Sequence, residues 1–366
     1  MAPSPRTVTT ARLRVRPLTD ADRDLWVRLH TDPAQYPFAP WAVAPDAATA
    51  EGTLERALTH WAEHEFGYGV VEDRGSGEAL GVAGLIHGRE REHLNLYYRF
   101  DRPHHGRGLG PEVARALVAD AVEHGPGLPL TATARPDHRA SIRTAERAGL
   151  TLLGAAEPDV VFPGVPRAVA ERARAADPAD VPAPVVLLAP AVEVHREPFD
   201  APTREQVLDL WCATNDAGGA VGFVPGAPRA AVSAALAAHE QQMAAGLAVA
   251  VLLRDPDRWV AALAWWGGDA NPLRAHRRTA YRVMSDPQRR GRNLGRLLMA
   301  AMHRVAREDG VALAELTVRG GTGVEAFYAG LGYTEVGRLP GGIRLSAADE
   351  RDEIRMARRL DGRPLS

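Results

Sequence analysis

The residues best placed to do chemistry occur twice. Pro103-His104-His105-Gly106-Arg107-Gly108-Leu109-Gly110 and Pro287-Gln288-Arg289-Arg290-Gly291-Arg292-Asn293-Leu294-Gly295 each set closely spaced glycines among arginines. Each follows a strand-like run (residues 94–100 and 281–284) and opens a helix-like one. In that context a helix N-terminus offers several free N–H groups and the positive end of its dipole at one point. Glycine supplies the close approach and positive φ that an anion nest needs. Arginine adds charge in a planar fork that suits phosphate. Pro111 fits the first helical turn, where a missing N–H costs nothing. Asn293 stands where the first copy has Gly108, and asparagine is the non-glycine residue that best tolerates left-handed backbone. The predicted chemistry is the holding of a phosphorylated ligand, at two places.

Each loop needs a strand before it and a helix after it, and the two halves supply these in parallel. Each helix region ends in an apolar-glycine pair, Ala148-Gly149-Leu150 and Leu331-Gly332-Tyr333; Gly110 to Gly149 is 39 residues and Gly295 to Gly332 is 37. First strands are predicted at 11–16 and 192–196. A helix follows Pro17-Leu18-Thr19-Asp20 to about His30, and another follows Pro202-Thr203 to Cys212. Long helices are predicted near 47–65 and 229–245. Strand pairs follow at 68–72 with 80–86 and 249–253 with 260–265, with turn signals Arg74-Gly75-Ser76-Gly77 and Asp255-Pro256-Asp257 between them. After each loop and its helix come a fifth strand (129–134; 312–318) and a last helix. The order β-α-α-β-β-β-α-β-α-β is mixed α/β, not a repeating βαβ array. We expect two domains, 1–190 and 191–366. The Pro- and Ala-rich stretch 155–184 reads as irregular or linker-like, with Val185-Val186-Leu187-Leu188 available as a last strand of the first domain.

Composition limits the function classes. At 366 residues the chain is too long for one typical core, and two domains of roughly 180 residues follow. A formal net charge of −2 argues against nucleic acid as the main partner. Lysine is absent, so all 44 basic residues are arginine. Cys212 is the sole cysteine, which excludes an intrachain disulfide and a cysteine-rich zinc site. No apolar run reaches signal or membrane-span length, and a cytoplasmic protein is expected. Gly106-x-Gly108-x-Gly110 lacks the dinucleotide-fold spacing, and a kinase-type P-loop requires a lysine.

Both halves resemble the GNAT superfamily of acetyl-CoA-dependent N-acyltransferases, whose signature is Arg/Gln-x-x-Gly-x-Gly/Ala between the fourth strand and its helix. The first half is most similar to the Rim-type branch through Arg14-Val15-Arg16-Pro17-Leu18, the loop through Pro111-Glu112, and Ser141-Ile142-Arg143-Thr144-Ala145-Glu146-Arg147-Ala148-Gly149-Leu150. The second resembles small-molecule GNAT enzymes through Arg290–Gly295, Ala326-Phe327-Tyr328-Ala329-Gly330-Leu331-Gly332-Tyr333 and Gly337-Arg338-Leu339-Pro340-Gly341-Gly342. The resemblance implies two tandem folds, each a mostly antiparallel sheet splayed between its fourth and fifth strands. It implies acetyl-CoA (coenzyme A) on the loop amides, direct attack of a small-molecule primary amine on the thioester, and a fourth-strand N–H polarising the carbonyl.

Carried onto this chain, the implied cofactor-binding residues are Val283, Ser285, Arg290, Gly291, Arg292, Asn293, Leu294, Gly295 and Arg296. In the first half they are Tyr98, Phe100, His105, Gly106, Arg107, Gly108, Leu109, Gly110 and His138. Tyr328 matches the tyrosine that protonates the departing thiolate, and the first half has Ala145 there. Ser141 matches a Rim-type serine at the pantetheine, while His138 replaces the accompanying asparagine. No fourth-strand carboxylate is present, because Asn95 and Thr279 occupy those positions. The base is therefore open between Glu315, Asp269, His276 and a water chain in the second half, and Glu92 and His93 in the first. The second half, with Arg290 and Tyr328, is expected to carry the chemistry. Two other readings stay open: an acyl-CoA binder or sensor without catalysis, and a protein N-terminal acetyltransferase acting through the first half. No metal is expected, since His104-His105 and the i,i+4 pair His60/His64 lack a third ligand in the sequence.

Overall fold

Leu13–Pro17 alternates apolar and charged residues, and in the computed structural model Leu13 and Val15 face the core while Arg14 and Arg16 point outward. The structure describes residues 6–88, 91–155 and 184–365. Of the expected linker, 156–183 lies outside the described residues. The chain divides into two units, one of residues 1–121 with 125–189 and one of residues 190–366 with 122–124.

In the first unit the order is β1 (Val8–Thr9), β2 (Leu13–Pro17), α1 (Arg23–Thr31), α2 (Ala47–His64), β3 (Tyr68–Asp73), β4 (Ala79–His87), β5 (Leu94–Phe100), α3 (Leu109–His124), β6 (Leu130–Ala134), α4 (Arg139–Arg147), β7 (Thr151–Ala155) and β8 (Val185–Leu188). The sheet runs β1-β2-β3-β4-β5-β6-β8-β7. Val185-Val186-Leu187-Leu188 thus forms a strand between β6 and β7. Arg14 lies opposite Glu72 of β3 and pairs with it at 2.6 Å. Arg16 joins the same Glu72 to Asp22, which also accepts the Thr19 N–H and closes the capping box before α1. One charged cluster therefore fixes both the strand register and the helix entry. Helix α2 starts on the Asp46 side chain, which accepts the Thr49 N–H at 2.7 Å. Its Ala50, Leu54 and Ala57 form a buried stripe at helical spacing; Leu54 and Ala57 join Trp26 and Leu29 of α1 in one core.

The second unit repeats the order: β9 (Ala191–His195), α5 (Ala201–Asp216), α6 (Arg229–Ala244), β10 (Ala248–Arg254), β11 (Val260–Gly267), β12 (Arg277–Ser285), α7 (Leu294–Glu308), β13 (Leu313–Arg319), α8 (Val324–Ala329), β14 (Thr334–Ser346) and β15 (Asp349–Arg359). Its sheet runs β14-β15-β13-β12-β11-β10-β9. Trp211, Leu236, Met243 and Trp265 are fully buried at its centre. Helix α5 continues one turn past Cys212, to Asp216. Strand β15 and its long hairpin with β14 are absent from the sequence reading, which took 337–342 as a family ending. The Pro340-Gly341-Gly342 run hides the strand: the register breaks between Leu339 and Ile343, where proline has no N–H to donate.

Both sheets part at the same place. β5 and β6 run parallel and pair only at Leu94↔Leu130 and Asn95↔Thr131. β12 and β13 pair from Arg277↔Leu313 to Ala280↔Leu316 and then separate. All other pairs are antiparallel. Each unit is thus a mixed, mostly antiparallel sheet that opens between its fourth and fifth central strands, directly ahead of a glycine loop.

Candidate active site

The open side of β5 carries unused main-chain groups. In antiparallel pairing successive residues turn their N–H groups to opposite neighbours. The Leu94 N–H goes to Pro129 on the β6 side and the Asp101 N–H to Leu80 on the β4 side. By alternation the N–H groups of Tyr98 and Phe100, beyond the last paired residues, face the gap. In the second unit the Asp286 N–H goes to Ala261, so Ser285 and Val283 face the gap. The backbone donors expected at Tyr98, Phe100, Val283 and Ser285 are those that the splay leaves open.

The strands differ in one respect. Against β11, Leu263 pairs with Met284 and Trp265 with Tyr281, so β12 carries one extra residue. Arg282 absorbs it at φ +52°. This bulge reverses the parity of β12, and without it Val283 and Ser285 would face β11. No such shift interrupts β4–β5. The Arg282 guanidinium lies 5.6 Å from the Trp211 ring centroid, and an added Cβ on Gly222 would stand 2.4 Å from its Nη1.

The loops match closely. A 3-10 turn, Arg102–His104 or Pro287–Arg289, begins each, with Asp101 or Asp286 accepting a main-chain N–H of the turn. Gly106 and Gly291 follow at φ +74° and +80°. The residues before the helices, Gly108 (φ +74°, ψ 15°) and Asn293 (φ +60°, ψ 2°), are both left-handed. A Cβ on Gly106 or Gly291 would meet nothing within 4 Å, so the space over both glycines is open. Gly110 and Gly295, one residue into the helices, pack near Tyr98 and Phe327 at 3.3 and 3.4 Å from their notional Cβ. Leu109 and Leu294 are buried and anchor the first turns. The loop side chains are not equally free. His105 Nε2 donates to the Phe100 carbonyl (2.8 Å), Arg290 donates to Ala217 (3.1 Å) and Arg296 to Gly330 (3.5 Å). Arg107 contacts His104 at 3.2 Å, while Arg292 is exposed.

Beside the first gap lies a cavity of about 710 Å³. Tyr36, Phe38, Trp41, Tyr97 and Tyr98 give it an aromatic wall. Arg56, Arg99, Arg135, His30, His60, His105 and His138 supply its ionisable groups, and no Asp or Glu is among the described residues that line it. Arg99 stacks over Tyr36 (3.6 Å to the centroid), donates to Tyr97 Oη (2.6 Å) and to the Gln35 carbonyl (3.0 Å). His138 lies flat on Phe38, with ring centroids 4.1 Å apart. Tyr98 Oη donates to Ser141 Oγ at 3.4 Å. Burial raises the Tyr98 phenol above its ordinary value, although the Ser141 bond opposes this. Burial lowers His138, and burial with the Arg99 charge brings His30 down to about 3, so both imidazoles are neutral at pH 7. Asn95 Oδ1 is buried at the cavity wall without a hydrogen-bond partner.

The second gap is furnished differently. Tyr328 is buried, edge-on to Phe327 and Tyr333, and burial raises its phenol. Glu315 accepts from Thr279 (2.9 Å) and Arg355 (3.3 Å), with Arg277 at 3.8 Å. Asp269 pairs with Arg274 (3.1 Å). A smaller cavity of about 330 Å³ lies between Gln206, Trp259 and Arg289, away from Tyr328 and Glu315.

A strand, an anion nest and a helix, beside a sheet opened at that point, define an acyl-CoA transferase fold present twice. The comparisons agree. Two family models, each described as an acetyltransferase (GNAT) domain, match residues 12–151 and 236–340. The chain belongs to the GNAT superfamily and is a tandem-domain N-acetyltransferase. Over 151 residues it is 28% identical to the uncharacterized protein YkkB of Bacillus subtilis, covering 39% of this chain and 84% of that one. An acetyltransferase of Agrobacterium tumefaciens is 26% identical with a TM-score of 0.40, over 51% of this chain and 96% of that one. The ribosomal-protein-S18-alanine N-acetyltransferase of Escherichia coli is 16% identical with a TM-score of 0.36, over 46% of this chain and 94% of that one. Among the described residues no helix is long and apolar enough to cross a membrane.

Proposed function

We propose that the first unit transfers the acetyl group, to a small amine that also carries an apolar ring or branched body and an anionic group. The observation that carries this is the aromatic cavity beside β5, lined by three arginines and by no described carboxylate. A polycationic amine would meet like charge there, whereas a carboxylate or phosphate pairs with the Arg fork. The same charges explain how the unit works without a strand carboxylate. A guanidinium-rich, partly desolvated site disfavours an ammonium, so the amine loses its proton on binding and needs no strong base.

Gly106, Arg107 and Gly108 would hold the pyrophosphate of acetyl-CoA, and Tyr98 and Phe100 N–H groups would border its arm. When bound, the thioester supplies the electrophilic carbonyl carbon. The gap-facing N–H of Tyr98 or Phe100 stabilises negative charge on the carbonyl oxygen. Ser141, accepting from Tyr98 Oη, would give its proton to the leaving sulfur and be reprotonated by the tyrosine, which regains through water the proton that the attacking nitrogen sheds. Asn95 and His138 orient the amine.

The test measures thiol release from acetyl-CoA with carboxylated aromatic amines and with polyamines. Carboxylated amines are expected to be the better substrates, with Gly108→Glu abolishing turnover and Gly291→Glu sparing it. The reverse pattern in the two loop variants would move the chemistry to the second unit, the reading that Tyr328 and Arg290 favour. Preference for polyamines would remove the proposed acceptor class.

A further inference from the structure

The i,i+4 pair His60 and His64 on the last turn of α2 gains a third imidazole in the fold. His87, the final residue of β4, brings its ring beside them: the His60–His64 centroids are 4.6 Å apart, the His64–His87 centroids 4.4 Å and the His60–His87 centroids 5.3 Å. One ring nitrogen from each of the three falls within 4.8 Å of the other two. We propose that His60, His64 and His87 form a binding site for a divalent transition-metal ion of the zinc class.

Three features support a built site. His60 Nδ1 donates to the Phe66 carbonyl at 2.9 Å, which fixes the tautomer and leaves the Nε2 lone pair for a ligand. That Nε2 lies 3.2 Å from His87 Nδ1. Two nitrogens bound tetrahedrally to zinc at about 2.0–2.1 Å stand roughly 3.3 Å apart, so this edge already has the required length. The carbonyl that orients His60 is placed by Glu65, a non-glycine residue at φ +61° that stops α2 and turns the chain back. The His87 main-chain N–H also reaches Nε2, at 3.2 Å, and is the contact an ion would displace. His64 sits on the helix's last turn, with its Nε2 3.4 Å from the Glu63 carboxylate, a contact an ion would compete with.

Arg91 and Glu63 stand beside the cluster, paired with each other at 3.3 Å. His60 also lines the large cavity, so an ion here borders the proposed acceptor site and joins α2 to β4. The fourth position is left for water or a donor of the acceptor.

The test is calorimetric titration of the tag-free, chelator-treated full chain with Zn²⁺, and with Co²⁺ followed by visible absorption. We expect one equivalent bound, a four-coordinate Co²⁺ spectrum and a rise in the unfolding midpoint. His64→Gln and His87→Gln should each weaken binding at least about tenfold, while His104→Gln, outside the cluster, should not. No saturable binding to the wild type overturns the site, as does binding unchanged in both cluster variants. Because the readouts are affinity, absorption and melting, they stand apart from whether the first unit acetylates amines.

Discussion

Asn293 and Gly108 occupy the same left-handed backbone with different costs. Glycine pays nothing for that conformation, whereas asparagine pays a little and a β-branched residue pays most. Asn293→Val should therefore cost on the order of 1–2 kcal/mol more than Asn293→Gly. Scanning calorimetry of the two variants checks this; equal midpoints would show that the position does not need its conformation. Ser141 carries a different kind of prediction. If its hydroxyl protonates the departing sulfur, Ser141→Ala should lower kcat by about 10²-fold with KM for acetyl-CoA little changed. A rise in KM at constant kcat would make it a binding residue only. Asn293 was legible because it stands where the first loop has Gly108, and Ser141 because it matches a Rim-type pattern. Arg99 was not, and reads as one more arginine until the fold stacks it on Tyr36.

The Arg14–Glu72–Arg16–Asp22 cluster ties β2 to β3 and to the entry of α1. Burial alone would raise the Asp22 carboxyl, but hydrogen bonds from Arg16 and Thr19 outweigh it and hold the group below its ordinary value. A carboxyl depressed in the folded state contributes stability that is present above its unfolded value of about 3.9 and lost as pH falls through the folded value. Asp22→Asn should thus cost about 1–3 kcal/mol at pH 7, with the difference from wild type shrinking below about pH 4. Parallel urea titrations at pH 7 and pH 3 measure it. The bulge in β12 offers a second test. Gly222 has φ +104° and sits under the Arg282 guanidinium, so Gly222→Ala should destabilise the second unit by about 1–3 kcal/mol. Element order was legible from hairpin turns, caps and apolar runs in both halves, down to Val185–Leu188. The bulge and the β14–β15 hairpin were not. A bulge is one residue of register, which period-2 patterning cannot resolve, and Pro340-Gly341-Gly342 reads as the end of structure instead of a break in a long strand.

The molecule holds two glycine loops of one design, and a large aromatic cavity lies beside the first. The sequence favoured the second unit because Tyr328 and Arg290 match a motif. Cavities, however, are made by residues distant in the chain, here from α1 to α4, and no local pattern announces them. Both loops share one backbone geometry, so we expect acetyl-CoA to bind at two equivalents per chain, with turnover confined to the first unit as proposed. Calorimetric stoichiometry checks this, and a single equivalent lost with Gly291→Glu would count against the proposed division of labour.

Every side-chain ion pair described above has guanidinium or imidazole as its cation, because the chain contains no lysine. Thioesters acylate lysine amines slowly without any catalyst, and a protein that concentrates acetyl-CoA exposes its own surface to that reaction. Guanidinium groups remain protonated at every physiological pH and are poor nucleophiles. This chain therefore offers acetyl-CoA no lysine amine to modify. Prolonged incubation with acetyl-CoA, followed by intact-mass spectrometry, should leave its mass unchanged apart from any reaction at the main-chain amino terminus or thioester exchange at Cys212.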